Sequence, residues 1–399
     1  MKLNKIGEIK HKNILLLQGP MGSFFKRLDK VFREKGATTY RIGFNAGDAF
    51  FSYRDNYTPY KDTRKNWVSF IEAFLHQKKI DQIYLFGDCR FYQSQAIQVA
   101  KALGIDVFVF EEGYLRPNYI TLEKFGVNHF SVMRRDRAFY DQLDLNHFPD
   151  PSSEDAHFSA YKMIFSAIVY YFMGNVLYFL YPHYQHHRGF SGFREAFFGI
   201  RNLYRKQKYK ITERGLLKSL VLERKKQYFF VPLQTHNDFQ ILQHSGYRSL
   251  EKFIIEVIES FAKQANQDDY LLFKHHPVDR GRMEYSAFIN RQASKYGVEH
   301  RVNVVHDLYL PTCLQNAKGT ITINSTVGLS SIYHGTPVLT LGYALYDIEG
   351  LTNKGVKLDD FWHSQAKPDS VLFEKYRRYL IQNTQLNGSF YGKMPDFED

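Results

Sequence analysis

Along the first third of the chain, short wholly apolar runs alternate with segments whose apolar residues recur at helical spacing. "NILLLQGP" reads as a strand ending in a Gly-Pro turn, and "SFFKRLDKVFREKG" as an amphipathic helix stopped by Gly36. "TTYRIGFNAGD" is the next strand and its loop. "WVSFIEAFLHQKK", "QIYLFGDCR", "QSQAIQVAKALG" and "DVFVFEEGYLRP" continue as helix, strand, helix and strand plus loop. Strands that are apolar throughout are buried on both faces, so this order predicts a parallel sheet covered by helices. The same order resumes at Lys226. "QYFFVPLQ", "DYLLFKHHP", "VNVVHDL", "GTITINST" and "TPVLTLG" are strands separated by helical patterns. The expected fold is therefore α/β, with two Rossmann-like doubly wound units of the kind found in two-Rossmann (GT-B-like) glycosyltransferases and some epimerases.

Between the two units the pattern changes. From Met163 to His187 there is no acidic residue and no lysine or arginine, and aromatic residues dominate. The length suits a membrane span, but Gly174, Asn175 and the tyrosines make a poor one and Pro182 stops it. A basic run follows at Arg201, Arg205, Lys206, Lys208, Lys210 and Arg214. Two readings stand for this aromatic-rich insertion: a buried helical hairpin with a solvated basic helix, or a helix pair lying on an anionic membrane surface.

Composition adds to this picture. The 399 residues carry a formal net charge of +12 and are 17% aromatic. Such a chain suits phosphorylated substrates, anionic lipid or nucleic acid. The two cysteines, Cys89 and Cys313, offer neither a disulfide framework nor a cysteine metal site. The apolar run Ile14–Leu17 is too short for a signal peptide or a span, which leads us to expect a cytoplasmic protein. No Asp-x-Asp, strand-borne G-x-G-x-x-G or P-loop pattern occurs, which weakens dinucleotide redox chemistry and NTP hydrolysis. No recognition motif supports nucleic-acid binding.

Candidate chemistry collects at strand ends. After "YFFVPL" come Gln234, Thr235, His236, Asn237 and Asp238, either a helix cap or a catalytic strand tip. Gly19 and Gly22 bracket a turn before a helix, an ordinary tight turn or a backbone cradle for an anion or sugar. Glu111 and Glu112 follow an apolar strand, with Gly113 and Arg116 nearby. They read as a base with its tuning partner, or as a surface ion pair. Lys274, His275 and His276 close another strand; Lys274 and His276 suit a phosphate, and no further ligand at metal spacing accompanies them. Asn324, Ser325 and Thr326 open a helix as hydroxyl and amide donors, or as a simple cap.

Taken together, "LLLQGPMGSFFKRL", "FNAGD", "EEGYLRPNYITLEKFGVN", "KHHP" and "TINSTVGLSSIYHGTPVLTLGYALYDIEGLT" resemble the capsule polysaccharide biosynthesis/export proteins of KpsS/LipB type, from about Ile14 to Thr352. The resemblance implies a retaining β-Kdo glycosyltransferase. It would take Kdo from CMP-Kdo to a phosphatidylglycerol-type lipid at the inner membrane of a Gram-negative cell, starting the linker of a capsular polysaccharide. A KpsC/LipA-type transferase and a capsule export complex would be its partners. Related transferases carry a Gln-Thr-x-Asn-Asp pattern whose Asp is the nucleophile. That pattern falls here on Gln234, Thr235, His236, Asn237 and Asp238. Glu111, preferred over Glu112, becomes the base. Lys274, His276, Asn324, Ser325 and Thr326 become donor-site residues, with Gly19 beside the substrate. Arg116 as a partner for the Kdo carboxylate is a chemical inference.

The implied organisation is an acceptor domain over 1–157, a membrane-facing segment over 158–226, a CMP-sugar domain over 227–350, and a helical tail over 351–399 packing back on the first domain. No cofactor or metal is called for. The alternatives are a non-catalytic export or scaffold component and a nucleotide-sugar epimerase of the same fold.

Overall fold

A computed structural model describes residues 8–148, 154–185, 192–235, 241, 245–247 and 249–397. The chain forms two compact units. One takes residues from 1–132, 148–193 and 378–399, and the other from 133–147 and 194–377. The aromatic helix Ala160–Val176 lies in the first unit, and the basic helix Gly192–Thr212 lies in the second from Arg194 onward. The middle segment thus forms no unit of its own.

In the first unit, β1 (Asn13–Leu17), β2 (Thr38–Gly43), β3 (Tyr57–Pro59), β4 (Gln82–Phe86) and β5 (Asp106–Glu112) run parallel in the order 3-2-1-4-5. The sheet then continues antiparallel. β6 (Tyr119–Lys124) pairs with β5 so that Glu111 faces Thr121. In the second unit, β7 (Tyr228–Pro232), β8 (Tyr270–Lys274), β9 (Val302–Val305), β10 (Gly319–Thr322) and β11 (Val338–Thr340) are all parallel, in the order 9-8-7-10-11. Counted from its own first strand, that is again 3-2-1-4-5. A last strand, β12 (Gln385–Asn387), returns to the first unit and pairs antiparallel with β6.

The apolar runs have the expected cause. Phe229 and Val231 pack into one core with Trp362 and the helix Leu250–Gln264, while Tyr228 and Phe230 pack into another on the opposite face. β1 does the same, with Leu15 and Leu17 on one side and Ile14 and Leu16 on the other. A strand that alternates between two cores needs an apolar residue at every position. The covering helices are amphipathic: Phe24, Phe25, Leu28 and Phe32 are the buried apolar side chains of Phe24–Glu34. The helix Leu250–Gln264 starts at Ser249, whose side chain accepts from the Lys252 N–H.

Candidate active site

In an open parallel sheet of this order, the chain leaves the first strand to one side and later returns on the other. The gap at the C-terminal strand ends is where ligands enter. In the second unit this point lies between β7 and β10. Gln234, just past β7, is buried, and its Nε2 donates to Asn324 Oδ1 beyond β10 at 3.0 Å. The two strand ends are therefore tied by residues that the sequence singled out. Ser325 Oγ accepts from the Val327 N–H at 3.2 Å, and the Ser325 carbonyl accepts from the Tyr346 hydroxyl. Gly328 makes that last bond possible, because a Cβ there would lie 2.1 Å from the Tyr346 oxygen. Thr326 is half-buried at the start of the helix Val327–Tyr333. His236, Asn237 and Asp238 lie outside the described residues.

The three residues at the end of β8 diverge. Lys274 is buried and its Nζ donates to the His306 carbonyl at 2.8 Å; burial lowers its pKa. His275 Nε2 accepts from the Tyr285 N–H at 2.9 Å, and burial pushes its pKa down to about 4, so the ring is neutral. His276 is half-exposed, and its Nδ1 accepts from the Val278 N–H at 3.2 Å. Of the two expected phosphate holders, His276 is the accessible one, and Lys274 has committed one of its three donors to the backbone.

Sequence reasoning missed the cluster behind this tip. His306, one residue past β9, places Nδ1 2.8 Å from Glu213 and Nε2 3.2 Å from Glu284. Its ring stacks on Tyr209 at 3.6 Å, and the Tyr209 hydroxyl donates to Glu284 at 2.6 Å. Burial works against the His306 imidazolium, but the bonds to Glu213 and Glu284 outweigh it and raise the pKa. Among the described residues, His275, Glu284 and His306 are the one group whose metal-ligating atoms converge, within 4.8 Å. Those atoms are engaged otherwise: His275 Nε2 by Tyr285 N–H, and His306 by two carboxylates. The arrangement is a histidine–carboxylate clamp at the C-terminal end of the basic helix. Arg205, counted in the basic run expected to face either solvent or an anionic membrane, instead turns inward and donates to the Arg280 carbonyl at 2.8 Å. Lys206, Lys208, Lys210 and Arg214 remain exposed. The only hint in the sequence is the polar His306-Asp307 pair closing an apolar strand.

In the first unit Glu111, the penultimate residue of β5, is half-buried, and its Oε1 accepts from the Glu112 N–H at 3.0 Å. Burial pushes the Glu111 carboxyl up to about 7, the Glu112 and Asp88 carboxylates add to the rise, and Arg90 opposes it. A Cβ at Gly87 would sit 3.7 Å from Glu111 Oε2 and 3.9 Å from Arg90 Nε, so Arg90 shares this corner. Glu112 and Arg116 are exposed, and Arg116 Nε donates to the Gly113 carbonyl at 3.3 Å. Gly113 has no room for a side chain, because a Cβ would lie 2.0 Å from the Tyr119 carbonyl. A Cβ at Gly19 would strike the Phe25 ring at 2.4 Å, a packing reason for that glycine.

The "FNAGD" motif serves a buried network. Asn45 caps the helix Ala46–Phe50, and Asp48 Oδ2 accepts from the Phe44 N–H, Gln18 Nε2 and Asn45 Nδ2 at 2.9, 3.1 and 3.1 Å. Tyr170, 122 residues further on, donates to Asp48 Oδ1 at 3.1 Å.

The family described as "Capsule polysaccharide biosynthesis protein" matches residues 81–391. The Escherichia coli capsule polysaccharide export protein KpsS is 42% identical over 380 residues, covering 95% of this chain and 97% of that protein. The Neisseria meningitidis capsule polysaccharide modification protein LipB is 36% identical over 399 residues, covering 96% and 92%. Among solved structures, Thermosulfurimonas dismutans KpsC, a beta Kdo 2,7 transferase, is 14% identical with a TM-score of 0.42, covering 93% of this chain and 89% of that one.

Proposed function

The chain belongs to the capsule polysaccharide biosynthesis protein family, and on that premise we propose that it is a retaining β-Kdo transferase moving Kdo from CMP-Kdo to a phosphatidylglycerol-type lipid. The observation that carries this reading is the second unit's switch point. There the Gln234–Asn324 bond ties the strand that leads into Asp238 to the strand that leads into Ser325 and Thr326. His276 stands at the next strand end.

Retention at an anomeric carbon follows from two inversions. In the first, an Asp238 carboxylate oxygen bonds the anomeric carbon of Kdo as the bond to the CMP phosphate oxygen breaks. His276 and Lys274, with Ser325 and Thr326, balance the charge on the departing phosphate. In the second, Glu111 takes the proton of the acceptor hydroxyl. The resulting oxygen displaces Asp238 from the anomeric carbon. A base with a carboxyl near 7 is matched to a neutral cytoplasm. Arg116 pairs with the sugar carboxylate, Asn237 supports the donor beside Asp238, and Gly19 borders the acceptor.

The lipid acceptor calls for a membrane-facing surface. No helix among the described residues is long and apolar enough to cross a membrane. The helix Gly192–Thr212 instead exposes Phe197, Ile200, Leu203, Tyr204 and Ile211 beside Lys206, Lys208 and Lys210, a composition suited to an anionic interface. We place the protein at the cytoplasmic face of the inner membrane, with a KpsC/LipA-type transferase extending its product for the export complex.

Mass spectrometry of phosphatidylglycerol incubated with CMP-Kdo and the purified chain tests the reading. One added Kdo per lipid is expected with the wild type. None is expected with Asp238→Asn, which keeps any capping role while removing the nucleophile. A wild-type chain that leaves the lipid unmodified would favour an export or scaffold component. Undiminished transfer by Asp238→Asn would remove the double displacement.

A further inference from the structure

The helix Ala160–Val176 has two unlike faces. Tyr161, Phe165, Ile168, Phe172 and Val176 recur at steps of four, three, four and four, and are between 52% and 88% exposed. Tyr178, Phe179 and Leu180 extend the row into the following turn. The opposite face is seated on glycines. A Cβ at Gly22 would lie 2.8 Å from Ser166 Oγ, and one at Gly47 would lie 2.7 Å from both the ring and the carbonyl oxygen of Tyr170. At this seat the Tyr170 hydroxyl enters the buried network, accepting from Asn45 Nδ2 at 2.6 Å and donating to Asp48 Oδ1. The network runs on through Gln18, whose Nε2 bonds Asp48 and whose Oε1 accepts from Gln93 at 3.0 Å. Gln18 holds a left-handed backbone, φ +34°, and the Gly19–Gly22 turn follows it directly. One helix therefore joins an exposed apolar row to the loop at the C-terminal end of β1.

The outer row suits an anionic bilayer. No acidic residue occurs between His157 and Gln185. Cations stand at both ends: Lys162 at the start, Lys61 5.7 Å over the Tyr181 ring, and Arg64 bonded to the Gln185 carbonyl. Tyrosines at the ends of an apolar row, flanked by cations, match a helix lying in a headgroup layer. A groove on a partner protein would account for the apolar row but would not call for cations at both ends.

We propose that this helix is a lipid-docking element whose Tyr170 contact transmits bilayer engagement to the Gln18–Ser23 turn and the helix Ala46–Phe50, so that this end of the first sheet becomes ordered when the outer row is in lipid. The choice of lipid as occupant rests on the proposed transfer to a lipid acceptor. The coupling rests on the seat alone. Tyr170 is thus a positioning residue.

The test uses the full chain without substrate, so its result is independent of transferase activity. Amide hydrogen exchange is followed with phosphatidylglycerol and with phosphatidylcholine vesicles, alongside co-sedimentation. Wild type should sediment with the anionic vesicles, and exchange over Gln18–Phe25 and Phe44–Ser52 should slow about fivefold, the effect of roughly one hydrogen bond's worth of ordering. Tyr170→Phe should sediment equally but show no slowing in either segment. Gln18→Leu leaves the Tyr170–Asp48 bond in place, and should lose the slowing in the turn alone. The double variant Phe165→Gln/Phe172→Gln, which leaves the helix Gly192–Thr212 untouched, should sediment less than the wild type and lose the slowing in both segments. Equal slowing in wild type and in both seat variants would overturn the coupling. A wild type that ignores phosphatidylglycerol vesicles would overturn the lipid occupant and point to a protein partner.

Discussion

The Glu111 carboxyl gives the sharpest prediction, because its environment sets a number that a rate profile can read. An ordinary glutamate near 4.3 would be almost wholly ionised at pH 6, whereas a carboxyl at about 7 is about one-tenth ionised there and about nine-tenths ionised at pH 8. A base works only when deprotonated. Transfer should therefore rise about tenfold between pH 6 and pH 8, with a limb centred near 7, if proton removal from the acceptor limits turnover. Initial rates of Kdo transfer at saturating substrate would trace the limb.

The corner around Glu111 fixes the sign of two further shifts. Glu112→Gln removes a neighbouring carboxylate while keeping the backbone N–H that bonds Glu111, so the limb should move to lower pH. Arg90→Gln removes the opposing cation, so the limb should move to higher pH. Glu111→Gln should abolish the limb together with most of the rate. A wild-type limb below pH 5, or one that neither variant moves, would refute the assignment of Glu111 as base.

Three other outcomes follow from the geometry. His276→Ala should raise the KM for the CMP-sugar with little change in that for lipid. Lys274→Ala should do the same and also lower the melting temperature, since its Nζ bonds the His306 carbonyl; donor kinetics unchanged in both variants would move the phosphate site elsewhere. Stabilisation from His306 should be complete below its ordinary value near 6.5 and lost as pH rises through the raised folded value, so the melting temperature should fall on that side. The slope should be absent in His306→Gln, and a slope that survives would assign it to another group. Gly47→Ala should cost about 1–3 kcal/mol in thermal stability, the range for overpacking, because its Cβ meets the Tyr170 carbonyl; a neutral effect would mean that the seat yields freely.

The parallel strands were legible because each strand is buried on two faces, which leaves an unbroken apolar run in the sequence. The positions of the strand ends were legible for the same reason: polar residues at Gln234, Lys274 and Asn324 stand out against such runs. β6 was not read as a strand, since Glu123 interrupts it. That carboxylate is buried and accepts from the Tyr114 hydroxyl at 2.7 Å, a contact that local pattern does not reveal. Asp48 looked like a loop residue, and its partner Tyr170 lies among tyrosines that the sequence gives no reason to tell apart. The basic run was read as uniform. One side of it is held by Glu284 and His306, two residues that only tertiary structure brings to Tyr209.

The pairing of β12 with β6 bears on how the protein is made. Leu386 lies opposite Ile120, so the first unit's sheet waits for a segment synthesised 266 residues later. The second unit, whose residues end at Arg377, has all its strands before then. During translation the unit that starts first is thus completed last, and until then β6 presents an unpaired edge to the crowded cell. A stop codon shortly before Gln385 would leave every strand of the second sheet intact and prolong that exposure indefinitely. Loss of β12 would thus show itself first as aggregation of the nascent product, before any defect in chemistry could be measured.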